Sequence, residues 1–278
     1  MKILLSKTGY WRKNTFRVKT DLIESNKKII VQKTPLGIGS EKILSEMRRN
    51  YLYFKSKVQK NVFFSKPLKN VDGKFLFEFN EGPTLEKMIE DSLIDRNFAK
   101  SSDLYFSGCK IISSLPSIKD KIKNQKKFIE FFKIESKYHN LELEFVKPAL
   151  TELTADHIII SNGKYCIFDY EIFFDFPIPK DFILFRYQFH LLNTLQQVIG
   201  SLSSLNFKLE EFLKDLYIPS IWLSEYQIDI DKKNIFLNME REKQNYLNWE
   251  KIDFDRFKND CNNIVETRIF PRLTRQQV

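Results

Sequence analysis

The sequence predicts an α+β fold in two parts, a small β-rich N-terminal part and a larger helical one. Three observations carry this. Residues 1–80 alternate apolar and polar side chains at strand period, and the pattern turns helical after Glu81-Gly82-Pro83. A single strand hairpin, Ile158 to Phe168, then interrupts the helical stretch. The boundary is therefore expected at residue 80, giving parts 1–80 and 81–278.

In chain order, Thr15–Val18 and Ile29–Lys33 read as short strands around the polar turn Glu24-Ser25-Asn26-Lys27. Gly37-Ile38-Gly39 breaks the chain, and Ser40 is a good N-cap for a helix over 41–57, with Leu44, Met47, Tyr51 and Phe54 near helical spacing. Val62–Pro67 and Lys74–Phe79 follow as strands, the second entered from the turn Asp72-Gly73. Thr84 caps a helix over 85–92. Ile158-Ile159-Ile160 and Tyr165-Cys166-Ile167-Phe168 flank the turn Ser161-Asn162-Gly163-Lys164, a strong hairpin signal. Helices are expected over 181–202, 209–216 and 222–246.

Composition narrows the function classes. Net charge is +9, so anionic partners are open: nucleotide, phosphorylated glycan, anionic lipid or nucleic acid. Acidic residues are interleaved with basic ones nearly everywhere. The densest basic stretch, Lys119 to Lys127, reads as a solvated helix face, and no specific nucleic-acid partner is expected. Cys109, Cys166 and Cys261 show neither disulfide nor zinc spacing, and Cys166 reads as a buried thiol. The N-terminus is too polar for a signal peptide, and no run approaches the ~20 apolar residues of a spanning helix. A cytoplasmic protein is expected, with peripheral membrane association left open.

The most informative segment is Thr151 to Glu171, TELTADHIIISNGKYCIFDYE: a polar loop, the hairpin, and a carboxylate, Asp169, directly after the second apolar strand. It resembles the kinase-like superfamily of protein kinases and aminoglycoside phosphotransferases. There a catalytic loop of the form HGDLTPDNIL precedes a strand ending in DFG, DWE or DFE. The resemblance implies a bilobal protein-kinase-like fold with ATP and Mg²⁺ as cofactors. It puts Glu152 at the catalytic Asp position, His157 at the metal-binding Asn position, and Asp169 in the metal role. Ile29-Ile30-Val31-Gln32-Lys33 resembles the strand whose Lys contacts the α- and β-phosphates, which assigns that role to Lys33. The helix over 41–57 would then supply the Lys-pairing carboxylate, Glu46 or Glu41. FLFEFNEGPTLEKMI, Phe75 to Ile89, resembles the inter-lobe hinge, whose backbone near Glu78 to Asn80 would meet adenine. Trp222, Glu225 and Gln227 partly match a pattern of bacterial lipopolysaccharide and O-antigen sugar kinases.

Three departures bear on mechanism. No GxGxxG loop precedes Lys33; the corresponding stretch Gly9 to Asn14 has one glycine, with Arg12 and Lys13 as charges. Glu152 keeps the carboxylate but adds a methylene. Imidazole is a poor match to Mg²⁺, which favours oxygen, so one-metal chemistry through Asp169, or a structural His157, is expected ahead of a His157–Mg²⁺ bond. The family implies phosphoryl transfer to a hydroxyl of a sugar, a glycan or another small molecule. The alternative is a pseudokinase that binds nucleotide or a partner without turnover. His139, His190, Asp229 and Asp231 show no ligand spacing, and Trp222, Trp249 and the run Ile172 to Phe176 are expected to pack.

Overall fold

The computed structural model describes residues 2–9, 12–147, 150–203 and 230–247. The fold is α+β, and the chain forms two compact units. The first holds residues through Phe54, Ser65–Phe79 and the described residues from Arg241 onward. The second holds Lys55–Phe64 and Asn80–Glu240.

The β-rich first unit is built on a four-stranded antiparallel sheet in the order β1 (Lys2–Thr8), β2 (Val18–Ser25), β3 (Lys28–Pro35), β5 (Phe75–Glu78). Asn26 and Lys27, both at positive φ, close the β2–β3 hairpin within the predicted turn. The expected strand Thr15–Val18 is instead a 3₁₀ turn over Asn14–Phe16, and β2 begins at Val18. The Phe16 N–H bonds to Lys13 O at 2.8 Å, and the buried Phe16 ring packs edge-on against Tyr246. A buried polar row crosses three strands, with Ser6 and Gln32 both donating to Asp21. Such a row favours one register, because a one-residue slip would part the Asp21 carboxylate from both donors. Helix α1 (Ser40–Phe54) buries Leu44, Met47 and Phe54, and the Ser40 hydroxyl donates to Gly37 O at 2.7 Å.

The second unit is mainly helical, with α2 (Leu85–Ile94), α3 (Phe98–Ser113), α4 (Lys126–Phe132), α5 (Lys180–Ser203) and the first part of α6 (Ile230–Leu247). Thr84 caps α2 as predicted, accepting from Lys87 N at 3.2 Å. The predicted hairpin is β8 (Ile158–Ser161) and β9 (Lys164–Ile167), turning at Asn162-Gly163 with φ of 51° and 70°. Strand β4 (Val62–Phe64) pairs parallel with β9, so it belongs to this unit rather than to the N-terminal sheet.

The sequence reading missed a further sheet, β6 (Ile118–Lys121), β7 (Glu142–Val146) and β10 (Ile178–Pro179). The stretch Lys119 to Lys127 is consequently not a helix face but a strand, a 3₁₀ turn and the start of α4. The cause is local: the Asp120 carboxylate accepts from Lys121 N, Asn124 Nδ2 and Gln125 Nε2, bonds that compete with a helix. Lys119 and Lys127 are solvated and paired with Glu142 and Asp175 at 2.7 and 2.6 Å. The many phenylalanines pack: Phe131 and Phe132 meet Phe174 and Phe176, and Phe182 and Phe185 meet Phe236 on α6. Among the described residues no helix is long and apolar enough to cross a membrane.

Residues 204–229 and 248–278, with Tyr10 and Trp11, lie outside the described residues. They include the expected helix over 209–216, the first residues of that over 222–246, Trp222, Glu225, Gln227, Asp229, Trp249 and Cys261.

Candidate functional site

The loop before the hairpin is anchored from beneath by apolar side chains. Leu150, Leu153 and Ala155 are buried, and buried Thr151 donates its hydroxyl to Ile172 O at 3.2 Å. A 3₁₀ turn over Ala155–His157 leads into β8. The Glu152 carbonyl organises this turn, accepting from Thr154 N at 2.9 Å and lying 2.9 Å from His157 Nδ1. A carbonyl only accepts, so this bond requires the proton on Nδ1. Nε2 of His157 then faces two carboxylates, Asp156 Oδ2 at 3.5 Å and Asp169 Oδ2 at 3.8 Å.

Asp169 follows the hairpin closely, two residues past Ile167, the last residue of β9. The Phe168 N–H donates to His157 O at 3.2 Å, which ties the exit of the hairpin to its entrance. Glu152, His157 and Asp169 are thereby brought onto one loop and hairpin. Burial pushes the His157 pKa down, but the charges of Asp156, Asp169 and Glu152 outweigh it, and the value ends above the usual 6.5. An imidazole with Nδ1 committed and Nε2 facing carboxylates is arranged as a hydrogen-bonding cation.

Two further charged side chains at this loop were not singled out from the sequence. Arg186, on α5, is buried at 3% side-chain exposure. Its Nη1 donates to Glu152 Oε1 at 3.2 Å and also to Thr151 O, and its Nε donates to Glu240 Oε2 on α6 at 2.7 Å. Burial opposes the guanidinium charge, yet Glu152 and Glu240 outweigh it and raise its pKa further. The sequence signal was a single arginine within the apolar stretch Phe182 to Phe189. The second is Asp156, whose Oδ1 is buried without a hydrogen-bond partner.

The remaining predicted residues lie elsewhere. Lys33 is buried on β3, opposite Thr20 on β2 and Phe75 on β5. Glu46 on α1 forms an ion pair with Arg49, and Glu41 is exposed on the first turn. At the expected hinge, the Glu78 N–H is bonded to Lys66 O at 2.9 Å and its carbonyl accepts from Ser65 at 2.7 Å. Of the expected phosphate-loop charges, Lys13 lies over the Tyr246 ring at 5.8 Å. His139 Nε2 is 3.2 Å from Ile134 O, and His190 is exposed.

Among the described residues no group of three or more His, Cys, Asp or Glu side chains forms a metal cage. A cage is not what Mg²⁺ requires, since it is held by one or two carboxylates together with waters and substrate phosphates. Asp169 and Asp156 both place a carboxylate oxygen on the Nε2 side of His157, a pair of a type that fits this requirement.

No family model matches the chain, and no curated protein matches it. Solved structures do. A macrolide 2′-phosphotransferase, MphH from Brachybacterium faecium, matches over 84% of this chain and 92% of that one, at 7% identity and a TM-score of 0.37. The gentamicin complex of APH(2″)-IIa matches over 82% and 93%, at 13% identity and a TM-score of 0.35. ADP-bound aminoglycoside phosphotransferase APH(2″)-Ib matches over 89% and 96%, at 13% identity and a TM-score of 0.33.

Proposed function

We propose that this protein is an ATP- and Mg²⁺-dependent phosphotransferase acting on a hydroxyl of a sugar, a glycan or another small molecule. One observation carries the reading: Glu152, His157 and Asp169 share one loop and hairpin, with His157 Nδ1 2.9 Å from the Glu152 carbonyl and Nε2 3.8 Å from Asp169. Transfer of a phosphoryl group asks little covalent chemistry of a protein; it asks for positioning and charge neutralisation. Bound Mg²⁺ supplies charge neutralisation at the phosphates, and Asp169 is the residue to hold it. Glu152 orients the acceptor hydroxyl. Its carboxylate is fixed by a charge-assisted bond to Arg186, and fixed position is what such a group must offer. His157 keeps the loop in shape and balances the two aspartates beside it. Lys33 contacts the α- and β-phosphates, and backbone near Asn80 meets adenine.

A second reading rests on the same contact. A Glu152 engaged by Arg186 also suits a pseudokinase, in which the loop is held for binding alone. Glu152→Gln separates the two, and Glu240 remains to balance Arg186 in that variant. The phosphotransferase reading expects nucleotide affinity to stay within about twofold while transfer falls on the order of 10²-fold. Transfer undiminished in Glu152→Gln would overturn the assignment of this loop. Metal-dependent ATP binding by the wild type, without product on any of a panel of sugars and glycans, would favour the pseudokinase.

A further inference from the structure

We propose that Arg186 is a positioning residue for phosphoryl transfer: with Glu240 it forms a buried clamp from α5 and α6 that sets where the Glu152 carboxylate lies. The inference rests on the phosphotransferase reading above and deepens it.

The clamp spans three elements. Nη1 reaches the loop twice, at the Thr151 carbonyl and at Glu152 Oε1, while Nε is held by Glu240. Arg186 is 3% exposed and its carboxylate partners 14% and 15%, so water competes little for these bonds. The loop is gripped from the other side as well, because the Glu152 carbonyl accepts from Thr154 N and His157 Nδ1. With backbone and side chain both fixed, the extra methylene of glutamate adds no freedom. A buried ion triad is a poor route to stability, since desolvation offsets most of its attraction. Its planar fork matches a positional task that an apolar side chain of similar volume could not perform.

Lysine keeps the charge at position 186 but lacks the fork, so it cannot bridge Thr151, Glu152 and Glu240 together. The test compares wild type with Arg186→Lys by amide exchange over residues 150–158 and by turnover of Mg-ATP, either to an acceptor or to water. The expected result is a folded variant with loop amides exchanging at least tenfold faster. KM for ATP should stay within about twofold while kcat falls at least tenfold, since ~1 Å of misplacement is enough. If Arg186→Lys does not fold, Glu240→Gln takes its place. That variant keeps an oxygen for Nε and is expected to show the same split, with kcat lower by about threefold. Loop exchange and kcat both unchanged in a folded variant would overturn the clamp while leaving the phosphotransferase reading intact. A wild type that turns over no nucleotide at all would overturn the reading and the clamp with it.

Discussion

Gly82→Ala is expected to cost the second unit about 3 kcal/mol and to loosen the hairpin that carries Asp169. Gly82 has φ of +147°, a conformation nearly closed to residues with a Cβ. A Cβ there would sit 2.3 Å from Ile160 O and 3.0 Å from Ile159 Cγ2, where ordinary contact begins at 3.4 Å. Relief requires about 1 Å of backbone movement, because a strand carbonyl cannot swing aside as a long side chain can. The backbone conformation costs ~1–3 kcal/mol and the overpacking another ~1–3 kcal/mol, and shared relaxation brings the total to about 3 kcal/mol. The bonds that would give way are Ile160 N to Pro83 O, 2.9 Å, and the Thr84–Ile159 bridge. Urea unfolding followed by helical signal measures the cost, and amide exchange at Ile160 locates it. A loss below about 0.5 kcal/mol with Ile160 still protected would refute this account of the junction.

Three other outcomes are expected. Lys33→Met keeps the buried aliphatic stem and removes the charge, so the protein should fold while ATP affinity drops at least tenfold; unchanged affinity in calorimetric titration would remove Lys33 from the site. The raised pKa of His157 means its cationic form favours the folded state. That stabilisation is complete below 6.5 and is lost as pH rises through the folded-state value, so thermal melts from about pH 5 to 9 should show stability falling on the alkaline side. His157→Gln should remove that slope, and a slope that persists would assign it to another group. Binding to duplex or single-stranded nucleic acid, measured by fluorescence anisotropy, should be weak and lost with added salt; a complex that survives physiological salt would make the +9 charge specific.

Local signals made much of the fold legible. Asn162-Gly163 sets the β8–β9 hairpin, Thr84 starts α2, and the helical spacing of Leu44, Met47 and Phe54 defines the buried face of α1. Each is a short-range signal that agrees with the global fold. The failures arise where side chains or distant strands decide. Asp120 takes three donors and turns a lysine-rich stretch away from helix. β4 reads as a strand, but its parallel partner lies about a hundred residues on, at Tyr165–Ile167, and no local pattern encodes that pairing. The candidate site divides the same way. Asp169 and His157 follow from the loop-hairpin order. Arg186 meets Glu152 on the loop and Glu240 on α6 only through tertiary packing of α5, and nothing in their spacing along the chain announces it.

Calorimetric titration of ATP with and without Mg²⁺ tests directly the proposal that Asp169 binds nucleotide through Mg²⁺. Wild type should bind ATP far more tightly with Mg²⁺ than without it. Asp169→Asn, with hairpin amide exchange unchanged, should bind equally weakly in both conditions. Mg²⁺-dependent ATP binding that survives Asp169→Asn, or a folded wild type that binds no ATP, would contradict the account.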